Sequence, residues 1–181
     1  NGSVDEGGTD RIVQSDTMIT SRPDGRDVER TVLTVWTEED NAIATAVAST
    51  TDRAVDGLDT WVTANGVTTQ SHLANSGNGA WTETLTEAGG STVDRNYAGG
   101  RLAAETWKDS GGVTVAFSSN TYDAHGRLAQ TLDGRGATIA YAFDHGDRLR
   151  TITGPAPVSG GDAPQTTIDY DSMGRQQTIT D

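Results

Sequence analysis

Short runs in which apolar and polar residues alternate cover most of the chain. Val113–Tyr122, Arg127–Leu132, Ala137–Phe143 and Arg148–Thr153 all follow this pattern, which predicts β-strands rather than helices. Aspartate and glycine residues separate the runs, so successive strands are predicted to pair as antiparallel hairpins. The nearest helix candidate, Ala42–Ser49, also alternates and contains threonine and valine, and is therefore predicted to be a strand.

The first half of the chain shows a fainter form of the same rhythm. Arg11–Thr20 and Asp27–Thr37 are predicted to pair around the turn at residues 22–25, and Asn65-Gly66 is a two-residue hairpin signal. Tryptophans recur at about the length of one repeat, at Trp36, Trp61, Trp81 and Trp107.

A seven-residue motif recurs in the second half at spacings of 21 to 27 residues. It reads Tyr-Asp-x-x-Gly-Arg-Leu. An aromatic residue ends one strand, aspartate opens a turn by bonding to nearby backbone, and glycine supplies a positive φ. Arg-Leu then begins the returning strand, after a loop of about four residues. The motif positions in the four copies are Tyr97, Gly100, Arg101 and Leu102; Tyr122, Asp123, Gly126, Arg127 and Leu128; Phe143, Asp144, Gly146, Arg148 and Leu149; and Tyr170, Asp171, Gly174 and Arg175.

These patterns predict an all-β fold made of a repetitive antiparallel β-hairpin ribbon. We divide the chain into residues 1–35, a less regular N-terminal β segment, and residues 36–181, the hairpin repeats. Because the chain begins in a polar stretch and stops directly after a strand-like run, we expect it to be a fragment of a longer protein.

Composition supports a thin sheet and argues against several functions. Hydrophobic residues make up 33% of the chain, below the usual 45–50% or so, which favours much exposed surface over one deep core. The net charge of −13 argues against partners with phosphate backbones and against anionic membrane surfaces. The absence of cysteine excludes disulfides and thiolate metal sites, and no apolar stretch is long enough for a membrane-spanning helix.

The side chains that stand out admit a structural and a functional interpretation. The motif aromatics are expected to pack against one another, and the motif arginines to pair with turn aspartates or lie along aromatic faces. The tryptophan series is either a structural ladder or a ligand-stacking surface for glycans.

No pattern in the sequence indicates catalysis, a metal or a cofactor. His72, His125 and His145 lack the converging ligands that a metal requires, and neither a nucleophile motif nor a phosphate loop is present. The acidic turns at residues 24–27 and 38–41 fit neither common calcium pattern, so structural calcium is a minor alternative. We expect a non-enzyme.

The spaced Tyr-Asp-x-x-Gly-Arg-Leu copies resemble the Rhs/YD-repeat family, which includes bacterial Rhs polymorphic toxins, shell-forming subunits of insecticidal toxin complexes, and teneurins. The resemblance is strong over Tyr97–Asp181 and fainter back to Trp36. The chain departs from the pattern at Phe143 in place of tyrosine, at Ala98 in place of aspartate, at Gln176 in place of leucine, and at Gly146, one place early. The resemblance implies a strand-turn-strand ribbon that spirals into a wide shell, which in toxin members encloses a C-terminal toxic domain.

Two functional hypotheses follow. The first is a non-catalytic segment of a secreted or cell-surface shell that encloses and helps deliver a C-terminal toxin or effector. Its partners would be the remainder of the parent chain and that effector, with self-association through exposed strand edges as a further expectation. The alternative is an extracellular adhesin, surface fibre or carbohydrate-binding module, for which glycans would be the partners. Neither hypothesis involves nucleic acid or membrane insertion.

Overall fold

A computed structural model describes residues 11–39, 42–158 and 160–181, which form fourteen β-strands and, within those ranges, no helix. All fourteen strands belong to one sheet, and every pair of neighbours is antiparallel. The strands are β1 Arg11–Ser21, β2 Asp27–Glu39, β3 Ala42–Ala54, β4 Asp59–Ala64, β5 Val67–Gly77, β6 Ala80–Thr86, β7 Thr92–Ala98, β8 Arg101–Lys108, β9 Thr114–Tyr122, β10 Leu128–Asp133, β11 Thr138–Phe143, β12 Leu149–Thr153, β13 Gln165–Tyr170 and β14 Gln176–Thr180.

The order of the strands in the sheet is their order in the chain, from β1 to β14. Across the described ranges, each strand contacts only the strand before it and the strand after it. The sheet is therefore an open meander with β1 and β14 at its two edges. This confirms the prediction of an all-β antiparallel hairpin ribbon.

The alternating runs correspond to strands within one or two residues at most ends. The four runs between Val113 and Thr153 are β9 to β12, and Ala42–Ser49 lies in β3. β1 pairs along its whole length with residues 27–37 of β2 around the predicted turn, in which Gly25 N–H donates to Arg22 C=O at 2.9 Å. The boundary drawn between residues 35 and 36 falls inside β2, so the sheet continues across it.

Little of the chain is buried, because the sheet is a single layer. Within the described residues, the buried apolar side chains are Val28, Ala54 and Trp61, which lie on adjacent strands near one edge of the sheet. The low hydrophobic content of the chain is thus matched by an architecture with two solvent-facing surfaces.

The two faces of the sheet differ in chemistry over β6 to β14. Residues paired across an antiparallel ladder share a face and alternate residues along a strand change face, so the register assigns each side chain. One surface, here called the aromatic face, carries Trp81, Leu85, Val93, Tyr97, Leu102, Trp107, Tyr122, Leu128, Tyr141, Phe143, Leu149, Ile152, Ile168 and Tyr170. The other, the threonine face, also carries Phe117 and Leu132, but most of its side chains over these strands are threonines: Thr82, Thr84, Thr86, Thr92, Thr106, Thr121, Thr138, Thr151, Thr153, Thr167, Thr178 and Thr180.

Candidate functional site: the motif turns and the two faces

The motif aspartate organises its turn with both carboxylate oxygens. Oδ1 of Asp123 accepts from the backbone N–H groups of His125 and Arg127, both at 2.9 Å, and Oδ2 accepts from Nε of Arg127 at 2.7 Å. Gly126 donates its N–H to the carbonyl of Asp123 at 2.9 Å and has a φ of 80°. The result is a β-turn followed by a glycine in the left-handed region, a connection that suits the twist of a hairpin.

Asp171 repeats this arrangement, with backbone donors at 2.9 Å and Nε of Arg175 at 2.8 Å. Asp144 also repeats it, but the position with positive φ is Asp147 at 61°, whereas Gly146 is not in that region. The displaced glycine of this copy therefore does not supply the positive φ that the motif predicts. Asp147 adopts it instead, as aspartate and asparagine can more readily than most side chains.

Hydrogen bonds from arginine keep the motif aspartates ionised. The guanidinium of Arg148 lowers the pKa of Asp144 to about 2, helped by the backbone N–H groups of Arg148 and Gly146. The pKa of Asp123 is lowered mainly by Arg127, and that of Asp171 mainly by the backbone N–H of Arg175. Each turn is therefore closed by a charge-assisted contact within four residues.

The arginines of the first three copies also contact the next copy. Their guanidinium groups lie over the aromatic ring that opens it, at distances typical of cation–π contacts. The three pairs are Arg101 over Tyr122 at 5.6 Å, Arg127 over Phe143 at 4.4 Å and Arg148 over Tyr170 at 4.6 Å. The motif aromatics were expected to pack against one another, but Tyr122, Phe143 and Tyr170 each pack against the arginine of the preceding motif.

Two tyrosine hydroxyls reach backward across the same junctions. Tyr122 Oη donates to Leu102 C=O at 2.8 Å, and Tyr170 Oη donates to Leu149 C=O at 2.8 Å. Phe143 holds the intervening position and has no hydroxyl to donate. The arginine, the aromatic ring and the leucine carbonyl thus form a repeated junction between successive motifs, complete in two cases and lacking one hydrogen bond in the third.

The turns that join the other ends of these strands have the same backbone hydrogen bonds. Asp109 Oδ1 accepts from Gly111 and Val113, and Asp133 Oδ1 accepts from Arg135 and Ala137, all at 2.8–2.9 Å. These turns were not predicted from the sequence to be of the same type. The signal that identifies them is Asp-x-x-Gly without arginine at the following position.

The shortened first copy is built differently. Ala98 pairs directly with Arg101, and Gly99 and Gly100 form a two-residue turn with φ of 56° and 76°. Both central residues with positive φ indicate a type I′ turn. Tyr97 stacks on Trp81, with ring centroids 3.8 Å apart and an interplanar angle of 7°.

The four tryptophans do not form one ladder. Trp36 and Trp61 lie on one surface of the sheet, and Trp81 and Trp107 lie on the other. The strand pairing from β4 through β5 to β6 places Trp61 and Trp81 on opposite surfaces. The ring of Trp61 is 5% exposed and lies beneath Arg22 at 4.1 Å. Trp61 is therefore covered and one ring face of Trp81 is occupied by Tyr97, whereas Trp36 and Trp107 have no such contact in the described residues.

A charged cluster surrounds Trp61 and was not foreseen from the sequence. Asp52, which is 3% exposed, accepts from Arg30 Nε at 2.6 Å, Arg30 Nη2 at 2.8 Å and Arg22 Nη1 at 2.6 Å. These hydrogen bonds, that from Arg30 above all, lower the pKa of Asp52 against the opposing effect of its burial. Asp52 lies 22 and 30 residues from Arg30 and Arg22 in the sequence. The pairing of the strands brings these residues together, so no local motif predicts their contacts.

Asp59 lies beside Trp61 on the same face. Burial raises its pKa, but hydrogen bonds from Gln70 at 2.8 Å and His72 Nδ1 at 2.9 Å outweigh that effect and lower it overall. Arg26 Nη1 also donates to it at 2.7 Å. The cluster thus satisfies two buried carboxylates with three arginines, and covers one tryptophan.

The other histidines lie at motif turns. His125 Nδ1 is 3.3 Å from Asp147, which also accepts from Arg127, and His145 is exposed. Among the described residues, no group of three or more His, Asp or Glu side chains is arranged to hold a metal ion. The acidic turn at residues 38–41 includes residues 40 and 41, which lie outside the described ranges.

Comparison with known families bears on the motif turns directly. Residues 122–157 match the family model of the RHS repeat. The matched segment begins at Tyr122 and includes the complete turn at Asp123 and the variant turn at Asp144. The resemblance drawn from the Tyr-Asp-x-x-Gly-Arg-Leu motif is confirmed there.

Among solved structures, the chain is similar to one titled "Crystal Structure of TcdB2-TccC3-TEV". The match has a TM-score of 0.33 and 14% sequence identity and covers 90% of this chain. This chain spans 11% of the length of that one. No curated protein matches the chain. No helix in the described part of the chain is long and apolar enough to cross a membrane.

Proposed function

We propose that this chain is a non-catalytic wall segment of a secreted or cell-surface RHS-repeat shell that encloses and helps deliver a C-terminal effector. The observation that carries the proposal is the repeated junction between motifs. Each junction ties one hairpin to the next within a single layer, so the ribbon can extend in one direction without a core beneath it.

The two faces support a wall with different surroundings on each side. Apolar and aromatic side chains predominate on one surface and favour contact with a protein chain, whereas threonines predominate on the other and favour contact with water. Paired strands leave no backbone groups free within the sheet, and such a layer separates an enclosed chain from solvent and proteases. The role proposed here is physical separation, with no catalytic step assigned to any residue of this segment.

The adhesin or glycan-binding alternative is less well supported. Sugar rings stack on exposed flat aromatic faces, and Trp61 and Trp81 already stack with Arg22 and Tyr97. Trp36 and Trp107, which have no such contact in the described residues, lie on opposite faces, so the tryptophan series does not form one stacking surface.

The proposal is tested with the longest natural chain that contains this segment. We expect hollow particles by electron microscopy and slow proteolysis of the residues that follow Asp181. Asp52→Ala, which breaks the buried cluster, should accelerate proteolysis of those following residues. Asp169→Ala, at an exposed position, should leave it unchanged.

Extended fibres in place of hollow particles would contradict enclosure. So would proteolysis of the following residues at one rate in the wild type and the Asp52→Ala variant. A parent chain with no independent domain after the repeats would favour the surface fibre instead.

A further inference from the structure

One stretch of β3 lies beyond the area in which strands pair on both sides. Ser49–Arg53 of β3 pair with β4, whereas residues 42–47 pair with β2 alone. Among the described strands, β3 contacts only β2 and β4. A Cβ at Gly66, in the turn that follows β4, would meet nothing within 4 Å. The hairpin of β2 and β3 therefore projects past β4 by about 20 Å, at about 3.3 Å per residue.

The unpaired stretch, residues 42–48, contains no charged residue, no proline and no glycine. It reads Ala-Ile-Ala-Thr-Ala-Val-Ala. Ala44–Val47 are exposed, and Val47 is 60% exposed. Charged side chains or proline commonly protect the edge strands of natural proteins from pairing with another chain. This edge has neither, although the chain as a whole carries a net charge of −13.

Apolar side chains accompany this edge on both faces of the projecting hairpin. Val13, Val35 and Ala46 form one row across β1, β2 and β3, and the adjacent row, on the other face, contains Ile12 and Trp36. Val13 is 53% exposed and Ile12 is 62% exposed. Apolar groups concentrated beside an unpaired strand are typical of an interaction surface.

We propose that residues 42–48 pair with the same residues of a second copy of this chain, antiparallel and about a twofold axis at Ala46. Such an edge-to-edge contact is isologous, since both copies use the same surface. Thr45 of one copy then faces Val47 of the other. The row of Val13, Val35 and Ala46 continues into the same row of the second copy.

The neutral composition of the edge favours a second copy over an unlike strand. In a symmetric pair, any charge on the edge approaches an equal charge, and like charges opposite each other destabilise a ladder. Two different strands can instead attract each other through opposite charges. An edge without charge, within so acidic a chain, is therefore the kind that can pair with itself.

The oligomeric state of the 181-residue chain tests the proposal. Sedimentation is measured from about 10 µM to about 1 mM, because a single short ladder buries less than the roughly 1,200 Å² of a stable interface. We expect a monomer at the lowest concentrations and a growing fraction of dimer toward the highest. Over the same range, NMR should show concentration-dependent shifts of the backbone amides of Ala44–Ala48 and of the Trp36 indole N–H.

Matched lysine substitutions locate the contact. Val47→Lys should weaken dimerisation about tenfold, because the charge enters each dimer twice. Val62→Lys is the control, since Val62 is 39% exposed but lies in β4, which is paired on both sides. Ile179→Lys tests the outer edge at β14, where Ile179 is 57% exposed. Neither control should change the dissociation constant of the dimer.

A charge exchange tests the twofold arrangement itself. Val47→Lys and Val47→Glu should each dimerise more weakly than the wild type. A one-to-one mixture of the two variants should form a mixed dimer at least as stable as that of the wild type, because opposite charges then lie close together across the axis. A purely structural effect of either substitution would not be reversed by mixing.

Four results would overturn the proposal, each obtained with variants whose circular dichroism matches the wild type. The first is a chain that stays monomeric throughout the concentration range, which would leave the edge to a strand of another protein. The second is a dimer that Val47→Lys does not weaken. The third is loss of the dimer in Ile179→Lys, and the fourth is a mixture that dimerises no better than its components. None of these results depends on enclosure, which the proteolysis of the parent chain tests separately.

Discussion

The hydroxyl of Tyr122 donates a hydrogen bond of 2.8 Å to the carbonyl of Leu102, twenty residues earlier in the chain. The ring of the same tyrosine lies beneath Arg101. One aromatic side chain thus contacts the backbone and the side chain of the preceding motif, and a repeat that buries little apolar surface acquires two specific contacts with its neighbour.

Exchanging tyrosine and phenylalanine at two motif positions tests this hydrogen bond. Tyr122→Phe should lower the free energy of unfolding by about 0.5–1 kcal/mol, because Leu102 C=O loses the tyrosine donor and keeps only that from Asn120 Nδ2 at 3.1 Å. Phe143→Tyr should raise it by about 0.5–1 kcal/mol, since the new hydroxyl reaches toward Leu128 C=O. Urea denaturation followed by circular dichroism measures both changes.

Tyr141→Phe is the control for this pair. Tyr141 also lies on the aromatic face, and its hydroxyl makes no hydrogen bond to protein within the described residues. Its substitution should change stability by only a few tenths of a kcal/mol, within the usual range for surface changes. Equal effects at Tyr122 and Tyr141 would mean that the junction bond contributes nothing.

Two turn glycines with the same backbone conformation differ in their surroundings. Gly126 and Gly136 have φ of 80° and 81°. A Cβ at Gly126 would lie 2.6 Å from Arg101 Cζ, whereas one at Gly136 would meet nothing within 4 Å. Alanine should cost about 1–2 kcal/mol at either position because of the positive φ, and only Gly126→Ala should also displace Arg101 from Tyr122.

A double-mutant cycle separates the two effects. In an Arg101→Ala background, the extra cost of Gly126→Ala over Gly136→Ala should disappear, because the group that is displaced has been removed. Persistence of the difference in that background would show that it arises from the turn itself.

The pKa of Asp144 sets the pH below which this motif turn loses the stabilisation that its carboxylate provides. Its pKa of about 2 lies below the ordinary value near 3.9. Its ionised form therefore stabilises the folded chain above pH 4, and that contribution is lost as the pH falls through about 2. A titration of the Asp144 carboxyl carbon by NMR should give a midpoint near 2.

Arg148→Met should raise that midpoint, though not to the ordinary value, because the backbone N–H groups of Gly146 and residue 148 still donate to the carboxylate. Arg135→Met, in the turn between β10 and β11, should not change the midpoint of the Asp144 titration. A midpoint insensitive to Arg148→Met would assign the low pKa to the backbone alone.

Local patterns were sufficient to predict the strands and the motif turns. Alternation placed β9 to β12 within one residue at each end, because strand period and turn chemistry are both local properties. The Asp-x-x-Gly turn was recognised where arginine and an aromatic residue accompany it, and was missed as the same turn at Asp109 and Asp133. In the copy with Gly146, the turn keeps its shape although the positive φ is adopted by Asp147 and not by the glycine. The motif therefore predicts the path of the backbone better than it predicts which residue adopts the positive φ.

Contacts between strands were predicted less well. The four tryptophans are evenly spaced, but β-bulges and unequal turn lengths change which face a position occupies, so even spacing does not imply a common face. The cluster of Asp52 with Arg22 and Arg30 depends on the pairing of β2 with β3 and on the turn before β2. No local feature of the sequence encodes these contacts.

That cluster provides the largest predicted change in stability. Asp52→Ala removes three hydrogen bonds and leaves Arg22 and Arg30 without their shared carboxylate beside the buried Trp61. Because both arginines keep partial access to water, we expect the free energy of unfolding to fall by about 2–4 kcal/mol, toward the lower end of the range for breaking a buried ion pair.

Asp169→Ala is the matched control, since its pair with Arg150 spans 3.9 Å between side chains that are 54% and 60% exposed, and such pairs contribute about 0–1 kcal/mol. Thermal unfolding monitored by Trp fluorescence compares the two variants, and a similar decrease in both would show that the cluster is no more important to the fold than a surface ion pair.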